Sequence, residues 1–462
     1  MTIGKRLAGL LATAALIVTA CGGSSATAAP PAASTGASSG ASTVPSAVPS
    51  SAGSASSAAP ALSGSITVLD KYGDPRYAPY FDGVAAAYMA ANPNVKVTID
   101  HETDQGVKDK LTAMAASNSL PDIYFSWAGD YTKKFVRAGM ALDLTAKVTG
   151  DWLNSFGSAA LSAYTYDGKL YGVPITLDAK YLAYNKKMFS DNGIAVPTTL
   201  EELLSACDAF TAKGIKQPIA FGNQFGWPAI HYMTQLNAYD VPAATLATDY
   251  NPATGAFTDP GYLKALQDFA DINQHCLTQG SNGISHENAQ ANFINSKVPM
   301  HYLESVEFSV LTKAGGAPDE IANNWGFMKL PAPSGAAGDT GALEGAPDGF
   351  LVNANSPHVD IAVDFLKFLT SLDNAQKLTK DLGWLSPIKG SATADNTFPQ
   401  NIQVVDDISK ASSMAIWLDT VTQSDVAKAY LDGVQGMLDG KKTPADVVAG
   451  VQAAAASAKS SQ

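Results

Sequence analysis

Arginine is scarce in this sequence, with three among 462 residues: Arg6, Arg76 and Arg137. Acidic residues outnumber lysine and arginine by 42 to 30, and the formal net charge at pH 7 is −12. A chain this acidic disfavours nucleic acid as a partner and offers no basic surface to anionic lipids. Because the planar guanidinium is the side chain best shaped to clamp phosphate and carboxylate, its shortage also argues against an anionic ligand.

Motifs for nucleotide, metal and hydrolase chemistry are missing too. Residues 436–443 approach a P-loop, but the spacing is wrong and they lie at a predicted helix end. The six histidines form no HExxH motif or close pair, so we expect no zinc site and no cofactor. Residues 36–40 match G-x-S-x-G, but that elbow needs a strand before it and a helix after it, and the segment predicts neither.

The apolar run at residues 7–20 is too short to span a bilayer comfortably. Lys5 and Arg6 precede it, and it ends in Val-Thr-Ala-Cys21, which resembles the bacterial lipobox. We therefore expect residues 1–21 to be a lipoprotein signal peptide. Lipidated Cys21 would then anchor an exported chain to the outer face of the cytoplasmic membrane. The alternative is an ordinary signal peptide that ends in a chance cysteine.

Residues 22–63 contain only Gly, Ser, Ala, Thr, Pro, Val and one Leu, with no charge and no aromatic ring. Such a segment cannot bury enough apolar surface to offset the entropy of ordering it. The sequence predicts a disordered linker here.

The remaining chain is long enough for two or three domains, and its pattern alternates strands with helices. We predict strands at 66–69, 95–99 and 121–126, with helices at 81–91 and 107–116 between them. This alternation indicates an α/β fold with a parallel sheet. The loops at 70–74 and 126–130 follow strands and so lie at the carboxyl edge of the sheet, where open α/β sheets bind ligands.

A family resemblance begins at "DGKLYGVP" (167–174), where an Asp-Gly turn leads into an extended segment, and continues in "YNKKMFSDNGIAVPTTLEEL" (184–203). Three later stretches are "NSKVPM" (295–300), "WGFMKLPAPSG" (325–335) and "PHVDIAVDFLKFLTSLDNAQKL" (357–378). In this order and spacing they resemble the family-1 extracellular solute-binding proteins of ABC importers, from about Ser65 to the C-terminus.

The resemblance implies a two-lobed periplasmic-binding-protein-like fold of class II, with hinge crossovers and a ligand cleft between the lobes. Lobe 1 would comprise residues 64–176 and 343–402, and lobe 2 residues 177–342 and 403–462. Cys207 and Cys276 fall on predicted helices of lobe 2. A disulfide is favoured in an exported chain, and buried free thiols are the alternative.

Aromatic and acidic side chains lie at or near the loops that would rim the cleft. Aromatic rings stack on sugar faces, and carboxylates accept hydrogen bonds from hydroxyls. For each aromatic the alternative is core packing, and for each acid it is a solvated surface or a helix cap. The predicted binding residues are Tyr72, Asp74, Trp127, Asp130, Asp178, Gln224, Phe225, Trp227, Tyr302, Glu304, Glu344, Asp348, Trp384 and Trp417.

Some of these positions match the family pattern. Trp127 and Asp130 match the Trp and the acid that follow the "PDI" strand in oligosaccharide-binding members, and Asp178 matches the acid before "YN". Trp227 matches the "W-P" after the second-lobe strand. The aromatic residue that often follows the "AM" motif has no clear counterpart near Val306.

We therefore expect a non-enzymatic, monomeric substrate-binding lipoprotein of an ABC importer. It would capture a neutral sugar, expected to be an oligosaccharide, and deliver it to permease subunits of the membrane. The alternatives are a secreted carbohydrate-active enzyme, a non-transport sensor lipoprotein, and a binding protein for another solute such as a polyamine.

Overall fold

The computed structural model describes residues 61–460. The predicted signal peptide, Cys21 and all but the last three residues of the predicted linker lie outside the described residues. The structural account therefore begins at Ala61.

The strands are β1 (Gly64–Asp70), β2 (Val95–His101), β3 (Ile123–Trp127), β4 (Thr165–Tyr166), β5 (Lys169–Leu170), β6 (Gly172–Asn185), β7 (Ile219–Ala220), β8 (Met300–Glu304), β9 (Trp325–Met328), β10 (Leu343–Val352) and β11 (Met414–Ala415).

The helices are α1 (Ala78–Ala91), α2 (Asp104–Ala116), α3 (Asp130–Arg137), α4 (Gly150–Ser155), α5 (Ser158–Ser162), α6 (Lys186–Asn192), α7 (Leu200–Ala212), α8 (Trp227–Asp240), α9 (Ala243–Asp249), α10 (Pro260–His275), α11 (His286–Ile294), α12 (Asp319–Ala322), α13 (Val359–Leu369), α14 (Leu372–Leu382), α15 (Pro399–Lys410), α16 (Leu418–Val421), α17 (Ser424–Leu438) and α18 (Pro444–Ser460). Short 3-10 helices cover Ser281–Gly283 and Ser305–Leu311.

The main sheet has the order β2-β1-β3-β10-β6-β8-β7, with β9 paired to β6 and β11 to β10. The pairs β1–β2 and β1–β3 are parallel, as the alternating pattern predicts. Strand β10 runs antiparallel to both β3 and β6, and β6 runs antiparallel to β8 and β9. The sheet is therefore mixed, with its antiparallel pairs formed by the long strands β6 and β10.

Strand β6 is 14 residues long and joins two parts of the molecule. Its first half, from Gly172 to Ala179, pairs with β10, and its second half, from Lys180 to Asn185, pairs with β8 and β9. Asn185 then ends the strand and caps α6, because its side chain accepts a hydrogen bond from the Met188 backbone N–H at 3.1 Å.

Buried apolar side chains form one core around β1 and β3 and two more around the second half of β6. The first core contains Ile66, Phe125 and Phe365. The second contains Leu182 and Phe269, and the third is built around Tyr181, Phe308 and Phe327. These cores lie to either side of the β6–β10 pairing, whereas the lobe boundaries given above stay a prediction.

Helix α7 begins at a cap formed by threonine and glutamate side chains. The Thr199 hydroxyl accepts from the Glu202 backbone N–H, and Glu202 in turn accepts from Thr198 at 2.8 Å. A disulfide joins Cys207 of α7 to Cys276 at the end of α10, with the Cα atoms 5.3 Å apart. It ties together two helices of the second core.

Candidate ligand-binding site

A cavity of about 530 Å³ lies at the carboxyl edge of β1 and β3. It is lined by the loop after β1, the start of α2 and residues of β6 and β10, and also by α8, α11 and the segments around Glu304 and Trp417. The cavity is thus walled by elements of all three cores. Its volume is within the range of about 300–1,000 Å³ found for ligand pockets.

The structure brings nine of the fourteen predicted residues to the wall of this cavity. They are Tyr72, Asp74, Trp127, Asp178, Trp227, Glu304, Asp348, Trp384 and Trp417. Their roles as ligand contacts stay a prediction.

Glu344 and Tyr302 lie behind the wall instead of on it. Glu344 is fully buried, with one carboxylate oxygen 2.6 Å from His231 Nδ1 and the other accepting from the Tyr302 hydroxyl at 2.5 Å. Its backbone N–H donates to the Gln235 side chain. Glu344 is the second residue of β10, beside β11, and its side chain faces α8. Glu344 and Tyr302 therefore hydrogen-bond in the interior and not at the cavity wall.

Asp130, Gln224 and Phe225 also lie away from the cavity wall. Asp130 is the first residue of α3, and its carboxylate accepts two hydrogen bonds from the Arg137 guanidinium at 2.6 and 3.0 Å. Gln224 is exposed and Phe225 is 53% exposed on the loop before α8. Of the three residues predicted in this stretch, only Trp227, the first residue of α8, lines the cavity.

Four indoles line the cavity, and their surroundings differ. Trp127 is 4% exposed, and the ammonium groups of Lys108 and Lys71 lie 4.6 and 5.3 Å from its ring centre. Trp384 and Trp417 are 3% and 5% exposed, whereas Trp227 is only partly buried. The ammonium group of Lys180 also lies 5.2 Å from the ring centre of Trp227, but Trp227 keeps the most exposed surface of the four indoles and is the most accessible ring for stacking.

Lys71 and Lys108 are held by carboxylates from separate parts of the wall. Lys71 Nζ lies 2.8 Å from Asp348 of β10 and 3.6 Å from Asp104 of α2. Lys108 Nζ lies 3.4 Å from Asp104 and 3.7 Å from Asp419 of α16. Burial would lower the pKa of Lys71, but Asp348 and Asp104 outweigh it and raise the pKa, so this ammonium stays charged.

A second series of charged and titratable side chains extends from the cavity wall into the interior. Lys180 is 1% exposed, and its Nζ lies 3.5 Å from Glu304 Oε1. His231 Nε2 lies 3.2 Å from Glu304, while its other ring nitrogen contacts buried Glu344. Burial opposes ionisation of Glu304, but Lys180 and then His231 outweigh it and hold its pKa well below the usual range. Glu304 is therefore an ionised acceptor at the wall.

Asp178 differs from Glu304 in that its pKa is raised instead of lowered. Its Oδ1 accepts from the Ser305 hydroxyl at 2.7 Å and from the Val306 backbone N–H at 3.3 Å, which fixes the carboxyl against the start of the Ser305–Leu311 helix. Burial, and then the negative charge of Glu304, raise the pKa of Asp178 well above its ordinary value. A protonated Asp178 would present a hydrogen-bond donor beside the ionised Glu304.

Glu307 orders the wall on the α11 side. Its Oε1 accepts from Gln290 Nε2 at 2.8 Å and lies 2.7 Å from His286 Nε2, and its Oε2 accepts from the Glu304 backbone N–H. Burial opposes ionisation, but His286 lowers the pKa of Glu307 to about 2. Trp227 packs against the His286 ring, with the centroids 4.8 Å apart.

Sequence reasoning missed several charged residues of the wall. Lys71 follows β1 directly, so the carboxyl-edge argument could have included it. Two others, Lys108 and His231, lie one turn into a helix, and His286 is the first residue of a helix. The composition of the loops therefore gave no signal for them. Glu307 follows the position near Val306 where the family pattern expects an aromatic residue, and no motif singled it out.

Two further observations concern residues 61–460. No set of three or more histidine, cysteine, aspartate or glutamate side chains in this part of the chain is arranged to hold a metal ion. Nor does any described helix combine the length and apolar character required to cross a bilayer.

The sequence and the fold of this chain are similar to those of known proteins. A sequence profile described as "bacterial extracellular solute-binding protein" matches residues 74–376. A binding protein of Brucella abortus (strain 2308) is 27% identical over 326 residues, which cover 69% of this chain and 74% of the relative. The multiple sugar-binding protein of Streptococcus mutans is 26% identical over 300 residues, covering 62% and 66%.

A solved chitin oligosaccharide binding protein superimposes with a TM-score of 0.79 at 23% identity, covering 86% of this chain and 99% of that one. This likeness confirms the predicted two-lobed α/β fold class.

Proposed function

The chain belongs to the bacterial extracellular solute-binding protein family, and we propose that it captures a neutral oligosaccharide for an ABC importer. The observation that carries this proposal is the cavity, whose wall contains four indole rings together with buried carboxyl groups. Rings stack on the C–H faces of sugars, and carboxylates accept hydrogen bonds from hydroxyls. A relative that is named as a multiple sugar-binding protein supports the same ligand class.

The charges of the wall favour a neutral ligand. Each of the three lining lysine and arginine side chains is paired with a carboxylate: Lys71 with Asp348, Lys108 with Asp104, and Arg76 with Asp74. An anionic ligand would have to displace one of these partners and would meet the ionised Glu304. A polyamine is the main alternative ligand, because the exposed carboxylate of Glu287, which has no ion-pair partner within residues 61–460, lies at the same wall.

A thermal-shift screen of the purified protein against neutral oligosaccharides, sugar phosphates and polyamines tests the ligand class. A ligand at 100 times its dissociation constant stabilises the folded state by about 2.7 kcal/mol, which raises the unfolding midpoint measurably. We expect a neutral oligosaccharide to give the largest shift. Stabilisation by a polyamine or a sugar phosphate alone would contradict the proposal.

One observation favours a second function, a secreted carbohydrate-active enzyme. Asp178 and Glu304 both line the cavity, and their carboxyls have pKa values displaced in opposite directions, as a glycosidase requires of its acid and its second carboxylate. Incubation with the oligosaccharide that gives the largest thermal shift would separate the two functions. We expect no new reducing ends, whereas their release by the parent and not by Asp178→Asn would establish the enzyme.

The cellular setting of the proposal is an exported, monomeric lipoprotein that delivers its ligand to permease subunits. The motif at Cys21 and the uncharged segment of residues 22–63 support lipid anchoring. Cell fractionation tests the anchor, since Cys21→Ser should release the protein from the membrane fraction. Retention of the variant as tight as that of the parent would contradict lipidation at this residue.

A further inference from the structure

His231 of α8 lies between two carboxylates, one at each nitrogen of its ring. Its Nδ1 is 2.6 Å from Glu344 Oε1, and its Nε2 is 3.2 Å from Glu304 Oε1. The indole rings of Trp417 and Trp227 pack edge-on against it, with centroids 4.7 and 5.4 Å away. The imidazole is therefore held in one orientation, with both nitrogens directed at carboxylate oxygens.

This geometry requires a hydrogen-bond donor at each ring nitrogen of His231. A neutral imidazole has one N–H and one lone pair, and an ionised carboxylate can only accept. Between two ionised carboxylates, a neutral ring would set its lone pair against an oxygen, whereas an imidazolium donates to both. Burial and then Lys180 oppose the charge, but Glu344 and Glu304 outweigh them and raise the pKa of His231.

Other charged and titratable side chains lie on the elements around this ring, and each of them has a partner of its own. Lys180 of β6 contacts Glu304, and Tyr302 of β8 donates to the second oxygen of Glu344. The remaining groups are directed elsewhere: Asp178 to Ser305, Glu307 to His286, Asp348 to Lys71, Asp419 to Lys108, Asp268 to Lys264 and Tyr430 to Asn237. Glu304 and Glu344 are therefore the carboxylates that determine the charge of His231.

Glu304 is the member of this cluster that a ligand can reach. Its side chain is 21% exposed and lines the cavity, whereas those of His231 and Glu344 are 8% and 0% exposed. His231 also borders the cavity, but both of its nitrogens are engaged. Because Lys180 and His231 contact the same oxygen, Oε1, they fix the Glu304 carboxylate from behind.

Loss of the proton from the ring would change this arrangement in one direction. Glu344 is fully buried and lies closer to the ring than Glu304 does, so the remaining N–H stays with Glu344, since an unpaired buried acceptor is costly. Nε2 would then present its lone pair to Glu304 Oε1. Glu304 would keep its contact with Lys180 but would be repelled by the neutral ring.

We infer that His231 is a positioning residue for ligand binding: as an imidazolium paired with Glu344, it holds Glu304 in the orientation that accepts a hydrogen bond from the sugar. Affinity is highest while the ring is protonated, and it falls as the pH rises and the ring loses its proton. The inference rests on the proposed function and adds to it a proton that controls one acceptor of the binding wall.

The protein without ligand tests the charge of His231. Long-range proton–nitrogen NMR distinguishes an imidazolium from a neutral ring, and the signals missing in His231→Gln identify the residue. We expect both nitrogens to be protonated at about pH 7, because the ring should titrate above about 6.5, the ordinary histidine value. A ring that is already neutral at this pH would overturn the inference.

Titration calorimetry with maltotriose, diacetylchitobiose, xylotriose and raffinose tests the coupling to binding, from about pH 5.5 to about pH 9.5, on both sides of the ordinary histidine pKa. At low pH the parent should bind its sugar about tenfold more tightly than His231→Gln does, as expected for one lost charge-assisted hydrogen bond. At high pH the two dissociation constants should converge. Glu344→Gln should move this convergence to lower pH, because a neutral amide no longer stabilises the imidazolium.

The matched control is His275→Gln on α10. The His275 ring also contacts a carboxylate, that of Asp208 at 2.8 Å, but it lies outside the cavity wall. This variant should reproduce the pH profile of the parent, so a profile altered in the same way by both histidine variants would overturn the inference.

The remaining outcomes separate the inference from the proposed function. If the parent and His231→Gln differ by the same factor at every pH, His231 serves the fold alone, and the inference is overturned while sugar binding stands. If the parent binds none of the four sugars, the proposed ligand class fails and the inference fails with it, even where NMR finds the imidazolium.

Discussion

At the scale of single residues, Trp227 is the indole of the cavity wall that keeps the most surface accessible. Trp127, which follows a strand, is 4% exposed, and two lysine ammonium groups lie close to its ring. One ammonium group, that of Lys180, lies 5.2 Å from the Trp227 ring centre, and part of the Trp227 surface stays accessible.

Replacing Trp227 by alanine should therefore weaken sugar binding by roughly 1–3 kcal/mol, by analogy with base stacking on aromatic side chains. Isothermal titration calorimetry measures the loss. Phe225→Ala is the matched control, since Phe225 is an exposed ring two residues away and outside the cavity wall. A loss of the same size in both variants would show that the loop, and not ring stacking, is responsible.

The two glutamates of the predicted site show what sequence can and cannot decide at this scale. Glu304 and Glu344 each lie near a strand end, and both were expected at the cleft. Glu304 is paired with Lys180 on β6 and reaches the cavity, whereas Glu344 is paired with Ala415 on β11 and faces the interior. Strand pairing between residues more than seventy positions apart decides the outcome, and no local pattern reports it.

At the scale of elements, α8 shows why a long helix escaped prediction. All of its residues from Pro228 to Asp240 are buried, so its sequence lacks the apolar–polar period of 3.6 residues that reveals a surface helix. By contrast, the threonine and glutamate cap that begins α7 is a local signal in the sequence. A helix with such a cap can be located from the sequence, whereas the fully buried α8 could not.

The contact between α8 and α10 contains a carboxyl pair that should make stability depend on pH. Burial, with Asp268 next, raises the pKa of Asp240 to about 7, while Lys264 donates to both Asp268 oxygens at 2.5 Å. The folded state then holds this proton more tightly than the unfolded chain, so the contribution of Asp240 to stability is greatest at low pH. It falls as the pH rises from about 4 to about 7.

Asp240→Asn removes this titration, so the variant should gain stability relative to the parent as the pH rises through that window. Urea unfolding at several pH values measures the difference. Asp271→Asn, an exposed change on α10, is the control and should give a constant offset. A pH-independent difference for Asp240→Asn would contradict the raised pKa.

The disulfide between α7 and α10 gives a second prediction at this scale. It closes a loop over 69 positions of sequence, so the Cys207→Ser/Cys276→Ser double variant should lose about 2–4 kcal/mol of unfolding free energy. Denaturant unfolding measures this loss. Alkylation of the unreduced, denatured parent should add no label at these two cysteines, and labelling of both would contradict the bond.

At the scale of the whole molecule, the elements that wall the cavity belong to cores joined through β6 and β10. This arrangement predicts closure of the lobes around a ligand, as binding proteins of this architecture undergo by hinge motion. Lys108 and Asp419 come from the two predicted lobes and lie 3.7 Å apart, so their separation should report the motion. Solution scattering with a saturating sugar should give a smaller radius of gyration, and an unchanged profile would indicate a rigid or preclosed protein.

The most direct test of the central claim is the salt dependence of ligand binding, measured by titration calorimetry at low and high sodium chloride. A neutral oligosaccharide carries no charge to screen, so its dissociation constant should be nearly the same at both concentrations. Binding only of a polyamine or a sugar phosphate, with an affinity that falls steeply as salt is added, would contradict the account.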